Sequence, residues 1–309
     1  MQLPRKLANH PFSTAVACAV ILIGSAMPIC SAQTLAPAAP PIQLVKVPMK
    51  GGGIFGSTID LSTELFKPAG PGPFPVLVYA HGRSGTQQER SALAEVIPRQ
   101  FLSFWLARGF AVVAPARPGY GKTGGNDREV PGHSWDGRGN CSGVPNAERV
   151  AATASAAIMA AVDWVREQPW AISSRILVAG NSVGGLTSAA LASANPPGVV
   201  AYINFAGGIA GNPDQSPGKS CAPEKVREAF VLYGKTARVP SLWLYAQNDK
   251  YWGPDTPGQW HAAYVASAGI AEFVAMPPVP NSDGHNLIFV GRDLWAPVVE
   301  SFLKRVGFE

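Results

Sequence analysis

RILVAGNSVGGLTSAALAS, residues 175–193, changes character twice. Residues 175–179 read as a buried strand, and small residues at helical spacing take over from Val183. Between them stands Gly180-Asn181-Ser182-Val183-Gly184, a G-x-S-x-G pentapeptide. In such an elbow the serine sits on a sharp strand-to-helix turn, with its hydroxyl above the sheet edge. The flanking glycines are needed because a Cβ there would strike neighbouring backbone. Ser182 also falls at a helix N-terminus, where free N–H groups favour developing negative charge. The pentapeptide alone is a weak signal. A strand before it, a helix after it and suitable partners later in the chain give it weight.

Outward from this elbow the chain alternates strands and helices. Upstream, IQLVKVP and TIDLSTELFKP read as two strands within residues 42–67, split by a hairpin turn at the glycine run 51–53. PVLVYAHG (75–82) and FAVVAP (110–115) have the continuous apolar character of buried parallel strands. A helix is expected over 90–108 between them, and another over 146–167, stopped by Pro169. Downstream come VVAYINFAGG (199–208), a helix over 223–233, PSLWLYAQ (240–247), a helix over 258–268, AEFVAMP (271–277) and a helix over 294–305. This pattern predicts an α/β fold, a mostly parallel central sheet with helices on both faces. The expected division is an extended lead-in and first strand over 33–56, then a catalytic domain over 57–309. Loop insertions are expected at 116–145 and 209–239. In such sheets chemistry collects at the carboxyl ends of the strands.

The first 32 residues read as a signal peptide. Arg5 and Lys6 give a basic start, residues 15–23 (AVACAVILI) an apolar middle, and Cys30 and Ala32 a small-residue exit before Gln33. The apolar run is shorter than the roughly 20 residues that a spanning helix needs. Export to the periplasm or beyond is therefore expected, with no membrane span in the mature form. Removing Arg5 and Lys6 from the 25 basic residues leaves 23 against 20 acidic ones, so charge gives no argument for nucleic acid. Cys18 and Cys30 leave with the signal. Cys141 and Cys221 remain, in loop-like surroundings, and in an oxidising compartment a bridge between them is expected.

Two motifs in the 116–145 loop mislead. Gly119-Tyr120-Gly121-Lys122-Thr123-Gly124 matches the dinucleotide fingerprint G-x-G-x-x-G, but no helix follows to receive a pyrophosphate. Gly121-Lys122-Thr123 resembles the end of a P-loop, yet Ala116 occupies the first glycine position. Both read as turns, and neither a cofactor nor a metal is expected.

A serine hydroxyl needs a base to become a nucleophile at neutral pH. Of His81, His133, His261 and His285, the last lies in Asn281-Ser282-Asp283-Gly284-His285-Asn286, after the final strand and before the final helix. His285 is the expected base, with His133 second. Asp249, just past PSLWLYAQ, is the expected carboxylate behind it, and Asp283 is expected to shape the histidine turn. The order Ser182, Asp249, His285 is that of α/β-hydrolases. An oxyanion would be received by the main-chain N–H groups of Val183 and Arg83. Tyr120, Trp135, Tyr251 and Trp252 are candidate pocket walls.

YAHGRSG, GNSVGG, LWLYAQND and SDGH together resemble the α/β-hydrolase superfamily, in its dienelactone-hydrolase-like branch of serine esterases. The resemblance covers residues 57–305. It implies cleavage of a small-molecule carboxylic ester through an acyl-enzyme, without cofactor. Ser182 stands where the enzymes that name the branch carry cysteine. A peptidase or amidase of the same fold, and a non-catalytic binding protein on this scaffold, remain as alternatives.

Overall fold

The computed structural model describes residues 42–51 and 57–308. The expected signal peptide, the lead-in over 33–41 and the turn residues Gly52 and Gly53 lie outside them. β1 (Gln43–Lys50) and β2 (Thr58–Phe66) form an antiparallel hairpin, with Lys50 opposite Thr58. The first strand, set apart with the lead-in in the sequence reading, is thus the edge strand of the main sheet.

That sheet is completed by β3 (Phe74–Ala80), β4 (Ala111–Pro115), then β7 (Ala171–Asn181), β8 (Val199–Phe205), β11 (Ser241–Ala246) and β12 (Ala271–Met276). Two small hairpins lie outside that sheet, β5 (His133–Trp135) with β6 (Cys141–Gly143) and β9 (Gly211–Asn212) with β10 (Ser216–Ser220). The order across the sheet is β1-β2-β4-β3-β7-β8-β11-β12. From β4 to β12 every neighbouring pair is parallel.

Side-chain alternation along these strands creates two cores. Val76, Val78 and Ala80 of β3 face one side with Ile176 and Val178 of β7; Leu77 and Tyr79 face the other with Leu177 and Ala179. The first side is covered by α3 (Ala147–Arg166), α4 (Val183–Ala194), α5 (Pro223–Gly234) and α6 (Thr256–Ala266). The second is covered by α2 (Arg99–Leu106), α7 (Leu287–Val290) and α8 (Arg292–Arg305). Full burial of each valine, leucine or isoleucine stabilises the fold by roughly 1.5–3 kcal/mol. Among the described residues no helix is long and apolar enough to cross a membrane.

The helix expected over 90–108 is two helices, α1 (Gln87–Ser91) and α2. Pro98 caps α2, and a proline disfavours helix in the residue before it. Between the helices Val96 and Ile97 are buried, and their N–H groups donate to the Glu64 carboxylate at 3.0 and 3.4 Å. Burial raises the pKa of Glu64 above the ordinary carboxylate value, despite those two bonds. The 116–145 loop is not featureless either, since it carries the β5–β6 hairpin. Its glycine motif does form a turn, closed by Gly119 N–H donating to the Gly124 carbonyl at 2.7 Å.

Cys141 and Cys221 are bridged, with Cα atoms 5.8 Å apart at a sequence separation of 80. The bond ties β6 to the chain just before α5. Closing a loop of this length would stabilise the protein by about 4–5 kcal/mol at most, through lost entropy of the unfolded chain. Replacing both cysteines by serine is expected to lower the urea-unfolding free energy by about 2–4 kcal/mol. A change under about 0.5 kcal/mol would show that the bridge does not restrain the unfolded chain.

Candidate active site

β7 runs into α4 through Ser182, whose φ of 54° and ψ of −124° are rare for a residue with a side chain. Such a conformation costs about 1–3 kcal/mol and persists only where surroundings enforce it. Here they do. A Cβ on Gly184 would lie 1.9 Å from the Ala80 carbonyl oxygen, and one on Gly180 would lie 2.2 Å from the Gly184 oxygen. Ser182 N–H donates to Phe205, and Gly208 N–H to Ser182, at 3.0 and 3.1 Å. The elbow is therefore pinned between the ends of β3 and β8.

The loops after β11 and β12 are stitched to each other beside it. Asn248 donates to the Val279 and Ser282 carbonyls and accepts from Val279 N–H. One oxygen of Asp283 accepts from both Lys250 N–H and His285 N–H, each at 2.9 Å. A Cβ on Gly284 would fall 2.5 Å from Asp249 N, so only glycine permits this approach. The stitching brings His285 Nδ1 to 3.1 Å from Asp249 Oδ2. The other oxygen of Asp249 accepts from the N–H groups of Tyr251 and Trp252, at 2.7 and 3.2 Å. The Tyr251 ring stacks on the imidazole at 3.9 Å between centroids, and Trp252 meets it edge-on at 5.5 Å. His285 Nε2 is buried without a partner. Leaving such a polar atom unpaired costs about 1–3 kcal/mol, which a proton donor presented to it would recover.

Ser182 and His285 line one cleft of about 420 Å³ together with His81, Gly82, Arg83, Tyr120, Asn181 and Tyr251. Its apolar lining is Leu93, Val96, Ile97 and Pro98 of the interrupted helix segment, together with Phe289. Of the four aromatics expected as walls, Tyr120 and Tyr251 line it. Trp135 and Trp252 do not. Trp252 is fully buried and donates Nε1–H to the Ala206 carbonyl, whereas Trp135 packs half-buried against the first core. His133 lies on β5, bonded to Pro131, and His261 lies on α6, bonded to Ala271; neither lines the cleft.

Arg83 enters the cleft directly after β3, and a Cβ on the preceding Gly82 would lie 3.4 Å from Ser182 Cβ. The Arg83 side chain turns away into a cluster that the sequence did not reveal. It pairs with Asp127 and Glu129, and Arg117 pairs with Glu129 while Arg90 approaches Asp127. Arg117 and Glu129 are almost fully buried. No local pattern marks these carboxylates, which come from the loop that carried the misleading glycine motif. His81 is buried in the same cluster, and desolvation followed by the charge of Arg117 holds its pKa well below the ordinary 6.5.

The comparisons with known proteins agree with this architecture. The family model for X-Pro dipeptidyl-peptidase (S15 family) matches residues 56–226, a span that contains Ser182 and ends before Asp249 and His285. Comparison with curated proteins gave no match. Among solved structures, the chain is similar to an esterase of Pyrococcus furiosus, with a TM-score of 0.55 and 16% identity, covering 87% of this chain and 100% of that one. It is similar to a Klebsiella pneumoniae protein assigned as a dienelactone hydrolase, with a TM-score of 0.51 and 17% identity over 85% of this chain and 98% of that one. An acylaminoacyl peptidase of Pyrococcus horikoshii gives a TM-score of 0.58 at 15% identity, covering 87% of this chain but 42% of the other. The fold is that of the α/β-hydrolases.

His81 supplies a test of the buried cluster. In the unfolded chain it titrates near 6.5, and in the folded protein well below that. Between those values the unfolded state binds more protons, so stability rises with pH and is lost as pH falls below about 6.5. In His81→Gln, the fall in unfolding free energy from pH 7 to pH 5 is expected to be shallower, by up to about 1.4 kcal/mol per pH unit. An unchanged slope would show that His81 does not resist protonation. The stitching gives a second test: Gly284→Ala is expected to reduce any turnover at this site by at least about 100-fold, since misplacement of about 1 Å costs that much. Full turnover in a folded Gly284→Ala protein would remove Asp249 and His285 from the site.

Proposed function

This chain belongs to the X-Pro dipeptidyl-peptidase (S15) family of hydrolases, and within it we propose a secreted serine hydrolase that cleaves carboxylic esters. The observation that carries the reading is the pairing of His285 Nδ1 with the buried Asp249, which leaves Nε2 bare in a cleft shared with the strained Ser182. Ser182 Oγ attacks the acyl carbon as His285 Nε2 takes its proton, and Asp249 orients and stabilises the imidazolium. The N–H groups of Val183 and Arg83 receive the oxyanion. Among the described residues, neither of these amides is committed to a backbone or side-chain acceptor. The intermediate collapses, the alcohol leaves with the proton from His285, and water activated by the same nitrogen then releases the acid and frees Ser182.

The choice of ester over peptide rests on charge. An exopeptidase that reads a free amino terminus needs a carboxylate available to the ammonium group. Among the described residues, Glu95 carries the one carboxylate that lines this cleft, and it sits at the exposed rim paired with Arg99. The Arg83 guanidinium is likewise taken up by Asp127 and Glu129, so among the described residues lining the cleft an anionic substrate finds no free guanidinium or ammonium group. Whole-length likeness to a Pyrococcus furiosus esterase supports the same choice. The peptidase reading draws on the family's description and on the acylaminoacyl peptidase, of which this chain spans less than half. The disulfide suits the oxidising compartment that export implies.

Ser182→Ala is expected to lower kcat on a p-nitrophenyl ester by about 10⁶-fold, as for other triads that act as a unit. A fluorophosphonate is expected to add one adduct, at Ser182. Preference for an X-Pro anilide over every ester in an acyl-length series would move the assignment to a peptidase. Undiminished turnover by Ser182→Ala would end it.

A further inference from the structure

The peptide bond between Gly82 and Arg83 is one rigid unit. Because it is planar and trans, its carbonyl oxygen and its N–H point in opposite directions. Whatever grips the Gly82 oxygen therefore aims the Arg83 N–H. Two groups grip it: Arg117 Nη2 donates at 3.1 Å, and His81 Nδ1 lies at 2.8 Å. A carbonyl can only accept, so the proton of this imidazole is on Nδ1. Its Nε2 accepts from Arg117 N–H at 3.2 Å, which requires the same tautomer. Arg117 Nη1 also donates to the His81 oxygen at 2.5 Å. Further along the loop, Arg90 Nη1 donates to the Ser84 and Gly85 oxygens at 3.2 and 3.1 Å.

We propose that Arg117, seated on Glu129 and acting with His81, is a positioning residue that aims and polarises the Arg83 N–H as an oxyanion donor. This inference rests on the ester-hydrolase reading above. The Arg117 guanidinium is almost fully buried, bonded by Nε to Glu129 and covered by the Tyr120 ring at 5.0 Å. Its charge lies on the carbonyl side of the peptide, drawing electron density toward that oxygen and making the opposite N–H a stronger donor. The cluster gathers three guanidinium groups, Arg83, Arg90 and Arg117, against two carboxylates, Asp127 and Glu129, leaving one positive charge beside the loop. A developing oxyanion is stabilised by that surplus; a neutral ground-state ester gains little from it. The Arg83 side chain, clamped at its far end, keeps the residue from turning over.

The effect belongs to the transition state, and the test must separate it from plain support of the fold. Arg117→Lys keeps the charge but has no planar fork with which to hold two carbonyls and a carboxylate at once. It is expected to lower kcat on a p-nitrophenyl ester about 10- to 100-fold, a fraction of the loss on deleting a donor outright, with KM within about 2-fold. Affinity for an alkylboronic acid, which forms a tetrahedral anion on the serine, is expected to fall in parallel. A non-reactive amide analogue is expected to bind unchanged. Glu129→Gln, which keeps the shape and loosens the seat, is expected to change the same quantities in the same direction, and decides the matter if Arg117→Lys does not fold. Folded variants with kcat and boronate affinity within 2-fold of the parent, or losses confined to KM, would overturn the proposal. Failure of the ester-hydrolase reading is a separate result, read on the unmodified protein: it would take up no fluorophosphonate at Ser182, or would prefer an X-Pro anilide to every ester.

Discussion

The backbone of Gly184 lies so close to the Ala80 carbonyl that no side chain fits between them. This contact brings the first turn of α4 against the end of β3. The elbow serine and the loop that begins at His81 consequently occupy the same sheet edge. β3 and β7 are adjacent and parallel, with Val78 beside Val178 and Ala80 beside Gly180, so both strands deliver their carboxyl ends to one place. Without the glycine, helix and strand would separate, and the strained conformation of Ser182 would lose what enforces it. The strain at 182 and the crowding at 184 are two aspects of one packing arrangement.

Around that edge the remaining loops are fastened by polar groups rather than by apolar packing. Asp283 holds two N–H groups from different loops, Asn248 holds three main-chain groups, and Asp249 holds two N–H groups and an imidazole. In the loop after β3, Arg117 and Arg90 hold four carbonyls of residues 81–85. Buried charges are tolerable when paired and hydrogen-bonded, and Asp249 and Arg117 are both, while Arg90 keeps its buried Nε without a partner. In the proposed reaction this arrangement means that donors and base are already oriented before substrate arrives, so little reorganisation accompanies charge development.

The strands were legible because burial on both faces leaves uninterrupted apolar runs such as PVLVYA and FAVVAP, and the elbow because its glycines are sterically required. The cysteine bridge was legible from the expected compartment and the loop context of both cysteines. What escaped the sequence depends on distant partners. The break at 92–98 is marked locally by Pro98, but the carboxylate of Glu64, on β2, that takes up the Val96 and Ile97 amides there has no local signal. Tyr251 and Trp252 are adjacent aromatics of similar character, and the turn around Asp249 Oδ1 decides which one faces the cleft. Trp135 stood in a loop beside the misleading glycine motif, but its hairpin carries it toward the core. The arginine–carboxylate cluster joins residues that only the folded loop brings together, which is why Arg83 offered a main-chain role to the sequence and a clamped side chain to the structure.

The claim on which the account turns is spatial: one oxygen bound to an atom attached to Ser182 lies between the amides of Val183 and Arg83, across from His285. A crystal structure of the protein after reaction with a phosphonate ester tests this directly. The account predicts phosphorus bonded to Ser182 Oγ, with its unesterified oxygen about 2.7–3.1 Å from both amide nitrogens and His285 Nε2 facing the leaving-group side. Phosphorus on another residue, or an unesterified oxygen turned toward solvent away from both amides, would contradict it.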